Sequence, residues 1–243
     1  RCFKRSNSYI IMYDISKESN LLGSIKEKSS FGKISGFWLG LQSYDEIWDL
    51  QRKIHQQVVD GTIGDILLLL EHPHIYTLGK NADSNHLLPS YPKDADVIDI
   101  DRGGDITYHG PGQLVGYPIV NLKNYKKSIS WYMELLEDII ITTLKEIGIG
   151  ASKRSKLTGV WVEDDKICAF GVRMAKWATM HGFALNLDPD MTFFNGIIPC
   201  GIFEHGVTSM SGVLNKTVDY EHVKKTIIKK FLYQFSIDYT LDK

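Results

Sequence analysis

The chain has 243 residues, 43% of them hydrophobic and 23% charged, which fits one sizeable globular core and excludes a disordered, collagen-like or disulfide-scaffold protein. Lys and Arg number 28 against 29 Asp and Glu, so no overall field favours nucleic acid. The three cysteines, Cys2, Cys168 and Cys200, are too widely spaced for a disulfide framework or zinc cluster, and the apolar runs 66–70 and 139–141 fall well short of the roughly 20 residues that cross a bilayer.

The chain opens at Arg1 and reads as beginning inside a longer precursor. Residues 1–33 hold seven Lys or Arg against three Asp or Glu, amid serines and asparagines. They are expected to form a weakly ordered, polar basic extension, either the remnant of an organellar targeting region or a tail with no such role. Residues 34–243 are read as a single domain.

Residues 36–41 read as a short strand, and Ser43-Tyr44-Asp45-Glu46 then has the S-x-x-E pattern that starts a helix by capping its free N–H groups. Ile47, Leu50, Ile54 and Val58 follow as one apolar stripe, and Gly61 supplies a left-handed stop. Residues 65–71 are a continuous apolar run and 97–101 alternate with period two; both are assigned to the central sheet. A second helix spans 131–147, ended by Gly148. Residues 159–163 and 166–172 form a hairpin about Asp164-Asp165, 181–187 form a third strand, and a last helix spans 220–233. With no repeat or linker dividing the core, the order predicts an α+β fold with a central mixed β-sheet flanked by helices.

Two segments carry unusual chemistry. In 101–113, paired glycines permit positive φ and close backbone approach to a ligand, and Arg102, Thr107, Tyr108 and His109 add donors and apolar surface suited to a carbonyl with an attached chain. The glycines read equally as a structural turn, and no P-loop or dinucleotide fingerprint is present. Pro199-Cys200-Gly201 sets a cysteine between turn formers, either an exposed nucleophile or a small buried thiol. Lys166 opens an apolar strand. Beside a thiol it would favour the thiolate; otherwise it is a strand-end lysine reaching to water.

Glu71-His72-Pro73-His74 with Tyr76-Thr77-Leu78-Gly79, the block 102–117, Gly159-Val160-Trp161-Val162, 166–173, 179–186 and Ile198-Pro199-Cys200-Gly201 together resemble the octanoyltransferase family of lipoate assembly. The resemblance implies the fold of the lipoate and biotin protein ligase catalytic domain. It implies Cys200 as the acyl-thioester cysteine and Lys166 as the lysine that lowers its pKa. It also implies acyl-binding segments at Arg102, Gly103, Gly104, Asp105, Ile106, Thr107, Tyr108 and His109, at Ala169, Phe170 and Gly171, and at Gly182, Phe183 and Ala184. The glycines would expose N–H groups for an oxyanion hole, and Phe170 and Phe183 would wall an acyl tunnel. The implied reaction carries octanoyl from octanoyl-acyl carrier protein to a lysine of a lipoyl domain, in a 2-oxoacid dehydrogenase complex or the glycine cleavage H protein.

No ATP, metal, nucleic acid or membrane is expected to take part. The compartment would be cytoplasmic in a bacterium and organellar, plastid-type or mitochondrial, in a eukaryote. Two positions depart from the family: Thr158 stands where proline is usual, and Cys168, which alternation places on the face of Lys166, stands where alanine is usual. Rival readings are an ATP-dependent lipoate or biotin ligase, which needs no cysteine, and a metal module built on His72, His74, His109 and His181, against the plainer reading of His-Pro-His as a turn.

Overall fold

This computed structural model describes residues 12–29, 33–198 and 206–238. Strand β1 (Met12–Asp14) and helix α1 (Leu21–Lys28) precede β2 (Ile34–Leu41), α2 (Tyr44–Asp60), β3 (Asp65–Glu71), β4 (Ile75–Leu78), β5 (Asp96–Asp99), β6 (Ile106–His109) and β7 (Gln113–Ile119). Then come α3 (Ile129–Ile147), β8 (Ser152–Arg154), β9 (Leu157–Val162), β10 (Asp165–Ala175), β11 (Ala178–Asn186), α4 (Met210–Leu214) and α5 (Tyr220–Asp238). Eight strands form one mixed sheet in the order β1-β2-β3-β7-β11-β10-β9-β8, and β5-β4-β6 form a smaller one. The α+β class with a large mixed sheet flanked by helices holds.

Local chemistry explains the two long central helices. Ser43 accepts the Glu46 N–H at the start of α2 and Ser128 that of Trp131 at the start of α3, while Gly61 and Gly148 end them at φ 69° and 95°. Strand β3 is buried on both faces: Leu67 and Leu69 join the core under α3 and α5, and Ile66, Leu68 and Leu70 the core under α1 and α2. That double burial explains why its sequence runs apolar instead of alternating.

Three expectations are corrected. Residues 12–28 are not a loose extension: β1 pairs in parallel with β2, and Ile15 and Ile25 are buried beside Phe37. A basic average over 33 residues concealed two short apolar anchors; residues 1–11 and 30–32 lie outside the described residues. The 97–101 strand belongs to the small sheet, because β4 pairs with β5 and β6 and takes no place in the large sheet. The segment read wholly as a glycine loop contains β6, and β7, which follows it, is a fully buried central strand.

Candidate active site

The loop before β6 lies against the β10–β11 hairpin, and between them lies a cavity partly open to solvent, whose total space, solvent included, is about 480 Å³. The hairpin wall consists of cross-strand partners, Ala169 opposite Ala184, Phe170 opposite Phe183 and Gly171 opposite Gly182. Two segments read separately along the chain are therefore one surface. The facing wall is Arg102, Gly104, Asp105, Ile106, Thr107 and His109. Close approach depends on glycine: a Cβ at Gly171 would stand 2.8 Å from Arg102 Cδ, and one at Gly182 only 2.3 Å from the Gly116 carbonyl oxygen.

Gly103 and Tyr108 do not line the cavity. The Gly103 N–H donates to the Val172 carbonyl at 3.0 Å, so it is spent on anchoring the loop instead of an oxyanion. Strand alternation turns Tyr108 away, to stack on Phe193 and bond through its hydroxyl to His74 Nδ1 at 2.7 Å. Tyr44, which no sequence reading placed at a site, Tyr117, and His181, a candidate only in the metal reading, complete the lining.

The polar side of the cavity is a set of hydrogen-bonded networks, in which the buried Nδ1 of His181 has no hydrogen-bond partner among the described residues. Arg102, 6% exposed, donates to the Thr77 carbonyl at 2.7 Å, to Thr77 Oγ1 at 2.9 Å and to the Gly103 carbonyl at 3.0 Å. His72 Nδ1 lies 2.7 Å from the Gln42 carbonyl, which can only accept, so Nδ1 carries the proton and Nε2 accepts from the Tyr117 hydroxyl at 2.8 Å. The Tyr44 hydroxyl bonds in turn to Tyr117. Burial lowers the pKa of His72 to about 4 and of His109 to about 3, lowers that of His181, and raises those of Tyr44 and Tyr117. These rings are neutral near pH 7, which leaves the Arg102 guanidinium and the Asp105 carboxyl as the other ionisable groups of the lining. A neutral chain with one polar carbonyl suits such a cavity.

Lys166 lies three residues before Ala169 on β10 and is 6% exposed, so it does not end its strand in water. Its ammonium lies 4.9 Å from the centre of the Trp161 ring, a distance at which the ring face favours the charge. A Cβ at Gly159 would approach Lys166 Cε to 3.1 Å, so glycine there leaves room for the stem. On its backbone, Lys166 donates to the Gly206 carbonyl and accepts from the Thr208 N–H, both at 3.0 Å.

Cys168 is fully buried, and burial raises its thiol pKa well above the ordinary range. Register shifts between Lys166 and Cys168, so Ile167 and Cys168 both enter the core under α3 and α5, and simple alternation from Lys166 fails. Cys200 and Cys2 lie outside the described residues.

Comparison with known proteins gives this arrangement its family. Residues 43–232 match the family described as the lipoyl protein ligase A/B catalytic domain. The chain is 43% identical over 222 residues to an octanoyltransferase of Cytophaga hutchinsonii, covering 82% of this chain and 91% of that one. It is 46% identical over 202 residues to an octanoyltransferase of Clostridium kluyveri, covering 82% and 86%. The chain belongs to the octanoyltransferase family. As a member it is an acyltransferase of lipoate metabolism, and the rival ligase reading gives way to it. Solved structures agree on the fold: P. falciparum LipL1 in complex with lipoate (TM-score 0.65, 18% identity, 84% of this chain and 63% of that one) and a bipartite lipoate protein ligase with its E2 lipoyl domain from Thermoplasma acidophilum (TM-score 0.63, 15% identity, 85% and 84%).

Within this octanoyltransferase, the histidines of the metal reading each bond to separate partners, although the His72 and His109 rings meet edge to face at 5.8 Å. His74 stacks on Phe193 at 4.0 Å, His72 bonds to Gln42 and Tyr117, His109 to Gln113, and His181 to Asp101. Among the described residues no group of three His, Cys, Asp or Glu is arranged to hold a metal ion.

Proposed function

We propose that this octanoyltransferase takes octanoyl from octanoyl-acyl carrier protein, holds it as a thioester on Cys200, and passes it to a lysine of a lipoyl domain. The observation that carries this reading is the cavity between the 102–109 wall and the Ala169–Ala184 and Phe170–Phe183 pairs, on the same strand as a buried lysine. In the first half-reaction the Cys200 thiolate attacks the donor carbonyl, the bond to the carrier sulfur breaks, and the leaving thiolate takes a proton from the Lys166 ammonium. In the second, the acceptor amine attacks the thioester and gives its proton to neutral Lys166 as the Cys200 thiolate departs. The ion pair is thereby restored. The donor arrives activated, so this cycle uses neither nucleotide nor metal, and a thiol nucleophile fits a reducing compartment.

Intact-mass analysis after mixing with octanoyl carrier protein should find one octanoyl group, mapped to Cys200 and absent from Cys200→Ala. Lys166→Ala and Lys166→Arg should both fall by about a hundredfold or more in transfer, since arginine keeps the charge but cannot give up a proton. Acylation that maps to Cys168, or that requires ATP, would overturn the reading.

A further inference from the structure

Gln113 and Asn186 stand in the family-like segments, yet neither lines the cavity. They are cross-strand partners on β7 and β11 and are almost wholly buried, at 2% and 3% exposure. Gln113 Nε2 donates to the Tyr108 carbonyl at 3.1 Å and to Asn186 Oδ1 at 2.9 Å, and Asn186 Nδ2 donates to the Thr208 carbonyl at 2.9 Å. Backbone carbonyls only accept, so the two amide orientations are fixed from both ends. Gln113 Oε1 is then left to accept from His109 Nδ1, 2.7 Å away, and His109 must carry its proton on Nδ1 and a lone pair on Nε2. The row continues through backbone, because the Thr208 N–H donates to the Lys166 carbonyl.

We infer that Gln113 and Asn186 are positioning residues, which tie the cavity wall at His109 to the 206–208 segment that holds Lys166 in register. Two walls built on different strands must keep a fixed relation for a chain in the cavity and the lysine to serve one carbonyl. Backbone pairing fixes each strand to its neighbour but leaves the 206–208 segment with contacts on β10 and beyond; the Asn186 amide fixes that segment to the cavity wall as well. The row contains no ionisable member other than His109, whose low pKa keeps the imidazole neutral and the direction of the bonds constant with pH.

The effect on turnover rests on the acyl-transfer reading, while the bond directions do not. Asn186→Asp replaces the donor to Thr208 by a carboxylate of the same shape, and Gln113→Glu does the same one step earlier. Each should lower kcat by about ten- to a hundredfold, the scale of a small misplacement of reacting groups, with donor KM within about twofold of wild type. The double variant should lose no more than the worse single one, because each breaks the same row. In wild-type protein with ¹⁵N-labelled histidine, assigned by comparison with His109→Asn, His109 should show a protonated Nδ1 and an unprotonated Nε2 from pH 5 to 9.

A protonated Nε2, near-normal kcat in Asn186→Asp, or independent multiplying losses in the double variant would each overturn the inference. Should Asn186→Asp not fold, Gln113→Glu and the wild-type spectrum decide it. A wild-type protein that accepts no octanoyl group would sink the acyl-transfer reading instead, with the spectrum still deciding the tautomer.

Discussion

Two carboxylates, Asp101 partly exposed beside the cavity loop and Asp65 buried at the start of β3, are handled in opposite ways. Asp101, just before the cavity loop, is met by Arg173 Nε at 2.9 Å, His181 Nε2 at 3.0 Å and Trp48 Nε1 at 3.2 Å, and its pKa falls to about 2, chiefly through the bond to His181. Asp65, at the start of β3, receives only neutral donors, the Tyr125 hydroxyl at 2.6 Å and the Asn121 N–H at 2.8 Å, and burial lifts its pKa to about 6. Hydrogen bonds alone do not make burial of a carboxylate charge comfortable; a cation and partial access to water do. The carboxylate beside the cavity thus keeps its charge, while Asp65 is easiest to accommodate when protonated.

The largest effect should come from Arg102→Ala, which removes the buried cation of the cavity wall, distinct from the Arg173 that meets Asp101, and leaves the Thr77 and Gly103 carbonyls without their charged donor. A loss of about 3 kcal/mol in denaturant unfolding, together with loss of most transfer activity, is expected. A variant within about 0.5 kcal/mol of wild type would mean that the loop stands without its guanidinium.

Asp101→Asn should cost less, about 1 kcal/mol at pH 7 given the carboxylate's partial exposure. Its folded pKa is depressed, so the contribution is present above the unfolded value near 3.8 and vanishes as pH falls through about 2. Thermal melts at pH 7 and pH 2 should therefore separate the variant from wild type only at the higher pH.

Asp65→Asn should give the smallest change and the opposite trend. A raised folded pKa contributes stability that is full below about 3.8 and lost as pH rises through about 6. The asparagine variant should compare best with wild type at pH 8 and lose that relative advantage by pH 4. A difference that does not vary with pH would show that Asp65 is solvated when the protein is folded.

Much of the fold was legible because its signals are local. The Ser43 cap, the stripe from Ile47 to Val58 and the Gly61 stop lie within one helix, and α2 forms as they dictate. The apolar run of β3 needed only its length and bounding turns. β7 was left unassigned, since Gly116 and Pro118 interrupt its apolar pattern, and only burial between β3 and β11 makes the segment a strand. The candidate site was legible as segments and not as a surface: 169–171 and 182–184 become one wall through pairing, and Tyr44 enters from the start of a helix whose local signals concern capping alone.

The sequence by itself determined the capped helices, the two-faced strand, the glycines that allow close approach and the family to which the chain belongs, since each depends on residue type at short spacing or on ordered motifs. Tertiary structure alone decided that Tyr44, Tyr117 and His181 share a cavity, that Lys166 is buried beside Trp161, and that Cys168 turns into the core. Those outcomes depend on strand register and on a single bulge, and one residue of register moves a side chain from one face of a sheet to the other.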